Sequence, residues 1–150
     1  MVRILICYAS FSGNTQEVAK IMMDKLTLDG HEVSLYRIGS GQIPDPRQYD
    51  VMFLGTFTWG KGATPIDVKD FVYELGYKPP NIYVFGTGDT QFGGDQLFCY
   101  ATVKLAKFYQ STYPPLKIEQ SPRGFQEIKV IEWTEGVMKH CQQHLGRLVY

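Results

Sequence analysis

Three short stretches gather hydroxyls, amides, glycines and aromatic rings beyond what ordinary turns require. The first runs Ser10-Phe11-Ser12-Gly13-Asn14-Thr15. Its hydroxyls and Asn amide, with the unpaired N–H groups at the start of a following helix, can converge on an anion, and a phosphate matches that donor set. No Gly-Lys-Ser/Thr follows and no Gly-x-Gly-x-x-Gly occurs, which disfavours a nucleoside triphosphatase and a dinucleotide fold. Taken alone, a plain N-cap with turn residues explains the stretch equally well. The second, Thr56-Phe57-Thr58-Trp59-Gly60-Lys61-Gly62-Ala63-Thr64-Pro65, sets a Trp beside two glycines where a surface turn needs no aromatic ring. A planar ligand would explain it; so would a Trp folded over a sheet edge. Pro65 suits the first position of a helix. The third, Gly86-Thr87-Gly88-Asp89-Thr90-Gln91-Phe92-Gly93-Gly94-Asp95-Gln96-Leu97, joins close-approach glycines to another aromatic, and loops of this length in a compact domain are commonly functional.

These stretches need a frame. Residues 2–8, 51–55 and 82–86 are nearly continuous apolar runs, as in strands covered on both faces. Further strands are expected at 32–38 and 115–119. Helical spacing recurs through 14–29 (Val18, Ile21, Met22, Leu26) and 65–76 (Val68, Phe71, Val72, Leu75). It recurs again from Phe98 to Tyr109 and from Val130 to Leu145. The segment 39–49, rich in Gly and Pro, shows no helix and connects strands two and three, unless it hides a short one. Alternating strands and helices predict an α/β fold, a parallel sheet with right-handed crossovers and helices on both faces. Ligands of such folds sit at the carboxyl ends of the strands, where all three stretches fall. A single domain over 1–150 is expected, since 150 residues at 44% apolar suffice for one core and no linker or repeat is visible.

Composition narrows the function. Fifteen Lys plus Arg balance fifteen Asp plus Glu, which removes the electrostatic ground for nucleic-acid binding. Residues 2–8 are too short to span a membrane. Cys7, Cys99 and Cys141 are odd in number and scattered, so neither a disulfide framework nor a zinc site is indicated, and reduced cytoplasmic thiols fit. Cys7 and Cys99 read as core residues, Cys99 being open to oxidation if exposed. His140 and His144 stand i, i+4 but lack a third ligand, so a solvated helix face is expected.

In this order and at these strand ends, the three stretches together resemble the flavodoxin family over essentially the whole chain. The resemblance implies a flavodoxin-like three-layer α/β/α sandwich whose five-stranded parallel sheet has the order 2-1-3-4-5. The short span between strand 115–119 and the last helix is similar to the short-chain type. The implied cofactor is FMN. Ser10, Phe11, Ser12, Gly13, Asn14 and Thr15 would hold its phosphate, with Phe11 alternatively packing on the domain. Thr56, Phe57, Thr58, Trp59 and Gly60 would form the first ring-contacting loop, with Trp59 stacked on one face of the ring and the Gly60 carbonyl accepting from flavin N5–H after one-electron reduction. Thr87, Gly88 and Asp89 would meet the pyrimidine edge. Where the family often places a Tyr before Phe98-Cys99, this chain has Leu97, which leaves Phe92 or Tyr100 as the outer stacking ring. Lys61 stands where an acidic residue commonly follows Trp-Gly.

The function implied is a low-potential one-electron carrier, monomeric and cytoplasmic, without a substrate or catalytic residue of its own. Its partners would be a flavodoxin reductase or similar donor and an electron-accepting enzyme, meeting it around residues 59–64 and 92–97. Substituting Lys61 or Asp95 there should shift partner rates without unfolding the chain. Two alternatives keep the flavin. A ribonucleotide reductase-activating flavoprotein of the NrdI type is suggested by the 86–97 loop and the low acidity. A quinone or azo reductase would need a nicotinamide site. A signalling receiver domain lacks its acidic cluster, since strand one ends in Tyr8-Ala9-Ser10.

Overall fold

A computed structural model describes residues 1–91 and 94–145, the side chains at 95, 96, 144 and 145 excepted. Five strands form it: β1 Arg3–Tyr8, β2 Glu32–Arg37, β3 Val51–Phe57, β4 Ile82–Gly88 and β5 Leu116–Glu119. They make one parallel sheet of order β2-β1-β3-β4-β5, as the family resemblance implies.

Alternation within these strands builds two cores, which is why the strands read as unbroken apolar runs. Ile4, Ile6, Phe53, Phe85 and Ile118 face one side and pack under Val18, Met22 and Leu26 of α1 (Asn14–Leu28) and Val130, Val137 and Cys141 of α5 (Phe125–Leu145). Leu5, Cys7, Met52, Leu54 and Val84 face the other side, under Val68 and Phe71 of α2 (Ile66–Leu75) and Leu105 and Ala106 of α4 (Tyr100–Phe108). The three layers follow directly. Because the chain leaves β1 for β2 on one side while β3 lies on the other, the strand order reverses at β1, and a cleft opens at the carboxyl ends there.

Several boundaries differ from the sequence expectation. β3 and β4 run two residues further, so Thr56, Phe57, Thr87 and Gly88 are strand ends and not loop. The helix expected from Phe98 is split into α3 (Gly94–Leu97) and α4, because Cys99 adopts the left-handed conformation at φ 51°. Pro65 is the N-cap of α2, with extended ψ of 145°, rather than its first helical residue. Segment 39–49 does hold a short 3-10 turn, Pro46–Gln48, capped by the Asp45 carboxylate accepting from Arg47 N–H. Five residues, 120–124, link β5 to α5.

The cysteines and histidines divide. Cys99 is fully buried and burial pushes its thiol up to about 12, so the oxidation considered for an exposed Cys99 does not apply. His140 is half-buried: its Nε2 lies 2.8 Å from Thr112 Oγ1 in an exposed contact, and its ring packs near Tyr83 and Tyr113. His144 lies outside the described side chains. Among the described residues there is no group of three or more His, Cys, Asp or Glu fit for a metal, and no helix is long and apolar enough to cross a membrane.

Candidate functional site

The cleft at the carboxyl ends of β1, β3, β4 and β5 has a volume of about 530 Å³ and a mainly apolar wall. Phe11, Ser12 and Asn14 line it from the first stretch, Phe57, Thr58, Trp59 and Gly60 from the second, and Thr87, Gly88, Asp89 and Leu97 from the third. Eleven of the sixteen sequence-selected residues therefore meet on one surface.

The first stretch is organised by its own residues. Ser10 Oγ accepts from the N–H groups of Gly13 and Gln16, at 3.1 and 3.3 Å, and so folds the chain back before α1 begins. Gly13 takes φ 95°, a conformation that favours glycine, and caps α1 without a side chain. Helix geometry leaves the Asn14 and Thr15 N–H groups without an intrahelical carbonyl, at the end of the helix where anions are stabilised. Thr15 is buried and its Oγ1 lies 2.8 Å from Thr87 Oγ1, tying the helix start to the end of β4. Ser10, Gly13 and Thr15 thus shape the loop, while Ser12 and Asn14 line the cleft.

In the second stretch Trp59 and Ala63 exchange backbone hydrogen bonds of 2.8 and 2.7 Å, making a small hairpin whose tip is Gly60-Lys61-Gly62. Gly60 has φ 48° and open space around its Cβ position, so glycine is needed there for conformation and not for room. Trp59 remains half exposed, with Phe11 set edge-on at 4.9 Å and Phe57 at 5.8 Å. Three rings beside one cleft, Phe11 largely and Trp59 half exposed, are costly to leave in water and fit a flat aromatic ligand. Phe11 both lines the cleft and packs on its aromatic neighbours Phe57 and Trp59. Thr58 Oγ1 accepts from Ala101 N–H and anchors the start of α4. Thr56 is buried, its Oγ1 donating to the Phe57 carbonyl, and does not line the cleft.

The third wall is held by Asp89, whose Oδ1 accepts from Gln91 N–H at 2.9 Å. Leu97 lines the cleft; Phe92 lies outside the described residues. Tyr100, the other outer-ring candidate, is exposed but packs beside Gly62 and under Lys104 Nζ, away from the lining.

Two residues escaped the sequence reading. Gln120 lines the cleft from the end of β5, its Nε2 donating to Asp89 Oδ2 at 3.3 Å. The strand-end rule that selected the other stretches applies equally to β5, next to β4, and would have found it. Arg37 stands opposite Tyr8 in the β1–β2 register and donates to the Ser10 carbonyl at 3.0 Å and to Gln16 Oε1 at 3.4 Å. It brings a positive charge to a phosphate-type loop that has none of its own.

Comparison with known proteins agrees with this geometry. Residues 6–112 match the family model described as Flavodoxin. The chain is 33% identical over 144 residues to "Probable flavodoxin 2" of Bacillus subtilis strain 168, covering 89% of this chain and 92% of that one. The oxidised flavodoxin 1 of Bacillus cereus superposes with a TM-score of 0.81 at 25% identity, covering 92% of this chain and 98% of the other. Flavodoxin 2 of the same organism gives 0.77 at 30% identity, covering 92% and 99%. The cleft, the sheet order and these matches agree: the chain belongs to the flavodoxin family, whose members carry electrons on FMN.

Proposed function

We propose that the chain is a diffusible one-electron carrier that holds FMN in the cleft described above and serves a reductase-type donor and an electron-accepting enzyme in the cytoplasm. The single observation that supports it most is the meeting of the α1 N-terminus with exposed rings in one cleft. FMN, when bound, supplies the redox chemistry; the protein binds and orients it and sets its electrostatics. Ser12, Asn14 and the first N–H groups of α1 take the phosphate, Trp59 covers one ring face, and the Gly60 carbonyl is available to a protonated ring nitrogen. Thr87, Gly88 and Asp89 meet the polar ring edge. No side chain in this set acts as an acid, base or nucleophile on a further substrate. The relatives named above are flavodoxins, which does not favour the ribonucleotide reductase activator suggested by Asp89-Thr90-Gln91-Phe92-Gly93 and the low acidity; Phe92 and Gly93 of that segment lie outside the described residues.

The test is an anaerobic reductive titration of the purified protein after FMN is added. One equivalent of FMN bound and two resolved one-electron steps are expected. Direct two-electron reduction would point to a reductase, and absence of flavin binding would overturn the assignment of all three stretches.

Two substitutions sharpen it. Arg37→Ala removes a cation and a donor from the phosphate loop, at an exposed site where such a contact contributes about 0.5–1 kcal/mol. FMN affinity should fall roughly 2- to 5-fold while riboflavin affinity stays the same. Equal losses for both flavins would mean that Arg37 only supports the fold. Lys61 sits at the hairpin tip beside Gly60 and stabilises added negative charge on fully reduced FMN. Its replacement by Glu changes the local charge by two. At a separation on the order of 10 Å in water this is worth roughly 0.8 kcal/mol, or about 35 mV for a one-electron couple. The second reduction potential should become more negative by that order, as read by dye-equilibrated redox titration; an unchanged or raised value rejects the effect.

A further inference from the structure

A second cavity, of about 490 Å³, adjoins the flavin cleft and shares Gln120 with it as a wall. It lies between the free edge of β5 and the first turns of α5. Lys117, Arg123 and Lys129 line it against a single carboxylate, Glu119, whose Oε2 already accepts from Thr90 Oγ1 at 2.8 Å. The ion pairs of the described residues (Arg3 with Glu32, Lys25 with Asp29 and Glu135, Arg47 with Asp45) all lie elsewhere. Glu127, adjacent in sequence to Gln126, does not line the cavity. Three cations without carboxylate partners thus surround one opening in a chain whose net charge is zero.

The edge of β5 is closed to strand addition. Gln126 Oε1 accepts from Glu119 N–H and its Nε2 donates to the Glu119 and Ser121 carbonyls, while Lys129 Nζ donates to the Lys117 carbonyl. A partner must therefore engage side chains and not backbone. Beside the cations, Phe125 is 91% exposed and Ile128 55% exposed at the start of α5. Cations without carboxylate partners next to an exposed aromatic anchor are features of a protein-binding surface.

We propose that this groove docks an acidic face of a redox partner protein, with Lys117, Arg123 and Lys129 meeting its carboxylates and Phe125 seated against it. The proposal deepens the carrier reading and rests on it: the groove opens beside the cleft, so a partner bound there lies next to the flavin, where electron transfer requires short distance more than a large interface. Such a contact steers encounter and is screened by salt.

Two measurements on the full chain test it. In the first, poly-L-glutamate is titrated into the 15N-labelled protein without FMN, and amide shifts are followed; poly-L-lysine is the control. Perturbations centred on residues 117–129 with polyglutamate alone are expected, and shifts centred elsewhere or none would overturn the proposal. Because this needs no flavin, it stays informative even if FMN binding fails, and that failure shows separately in the FMN titration.

In the second, the FMN-loaded, reduced protein is mixed by stopped flow with ferricyanide, whose iron(III) takes one electron to become iron(II), and with cationic hexaammineruthenium(III). At low ionic strength, R123E and the K117E/R123E/K129E triple variant should slow ferricyanide, the triple by about tenfold, and speed the ruthenium complex. The differences should vanish near 0.5 M salt. Arg123 is exposed, so R123E keeps the test valid if the triple variant fails to fold. Rates with both oxidants equal to those of the unsubstituted protein would overturn the proposal.

Discussion

Replacing Trp59 by Ala should weaken FMN binding about 30- to 150-fold. Trp59 is the largest ring lining the cleft, it is half exposed, and its hairpin presents it beside Gly60 with Phe11 edge-on at 4.9 Å. A ring stacked on a flat ligand gains from buried apolar area and from the aromatic pairing, which together come to roughly 2–3 kcal/mol for a Trp. The fold should hardly notice, because the residue gives the two cores nothing: its neighbours are Phe11 and Phe57, and its backbone bonds to Ala63 do not need a side chain. The expected pattern is therefore a large loss of FMN affinity with an unchanged urea midpoint for the flavin-free protein. Riboflavin separates this from the phosphate loop. Trp59→Ala should weaken riboflavin and FMN alike, since stacking acts on the ring, whereas Arg37→Ala should weaken FMN alone. Trp59→Phe, which keeps a smaller ring, should fall between. A Trp59→Ala affinity within threefold of the unsubstituted protein would show that the ring is held by the β4 side of the cleft instead.

How much of this was readable beforehand depends on the period of each signal. β1, β3 and β4 are buried on both faces, so they appear as apolar runs, and the alternation of elements implies a parallel sheet, whereas its strand order comes only with the family resemblance. The three cleft stretches were legible because glycines and an exposed Trp at strand ends have no core role. Spacing could not show the break at Cys99. Phe98, Ala101, Thr102 and Leu105 keep helical intervals whether or not one residue between them turns left-handed, and the signal that a helix ends there is a backbone angle. Ser10 was selected as a phosphate donor by type, yet its hydroxyl is committed to Gly13 and Gln16 N–H, which only the fold of the loop reveals. Arg37 carried no mark at all. It reads as one more residue of β2, and its place beside the loop comes from pairing with Tyr8, a relation between strands 29 residues apart in sequence. Lys117 and Lys129 are likewise unremarkable in sequence and become a pair only where α5 crosses the edge of β5.

The largest stability effect is expected at Gly86, in the middle of the third stretch's strand and away from any ligand contact. There β4 and α4 approach so closely that a Cβ on residue 86 would overlap Thr102 Oγ1 outright and lie 2.8 Å from the Thr56 carbonyl oxygen, a backbone atom of β3. Neither neighbour yields easily: Thr102 is fully buried on α4, and Thr56 is fixed by the β3–β4 ladder, in which it pairs with Gly86 itself. Overpacking against such atoms costs about 3 kcal/mol, so Gly86→Ala should lower Tm by roughly 6–12 °C in a chain of this length. The second variant identifies the cause. Thr102 Oγ1 is buried with no hydrogen-bond partner among the described residues, so Thr102→Ala sacrifices no polar contact there and removes the worst overlap. In the Gly86→Ala background it should restore part of the lost stability, with a coupling of 1 kcal/mol or more, while the remaining contact with Thr56 prevents full recovery. Purely additive effects, or a Gly86→Ala protein as stable as the original, would mean that α4 can move off the sheet. Since Thr58 ties the start of α4 to the second stretch, any such movement should also appear as weaker FMN binding, giving the packing argument a second, functional readout.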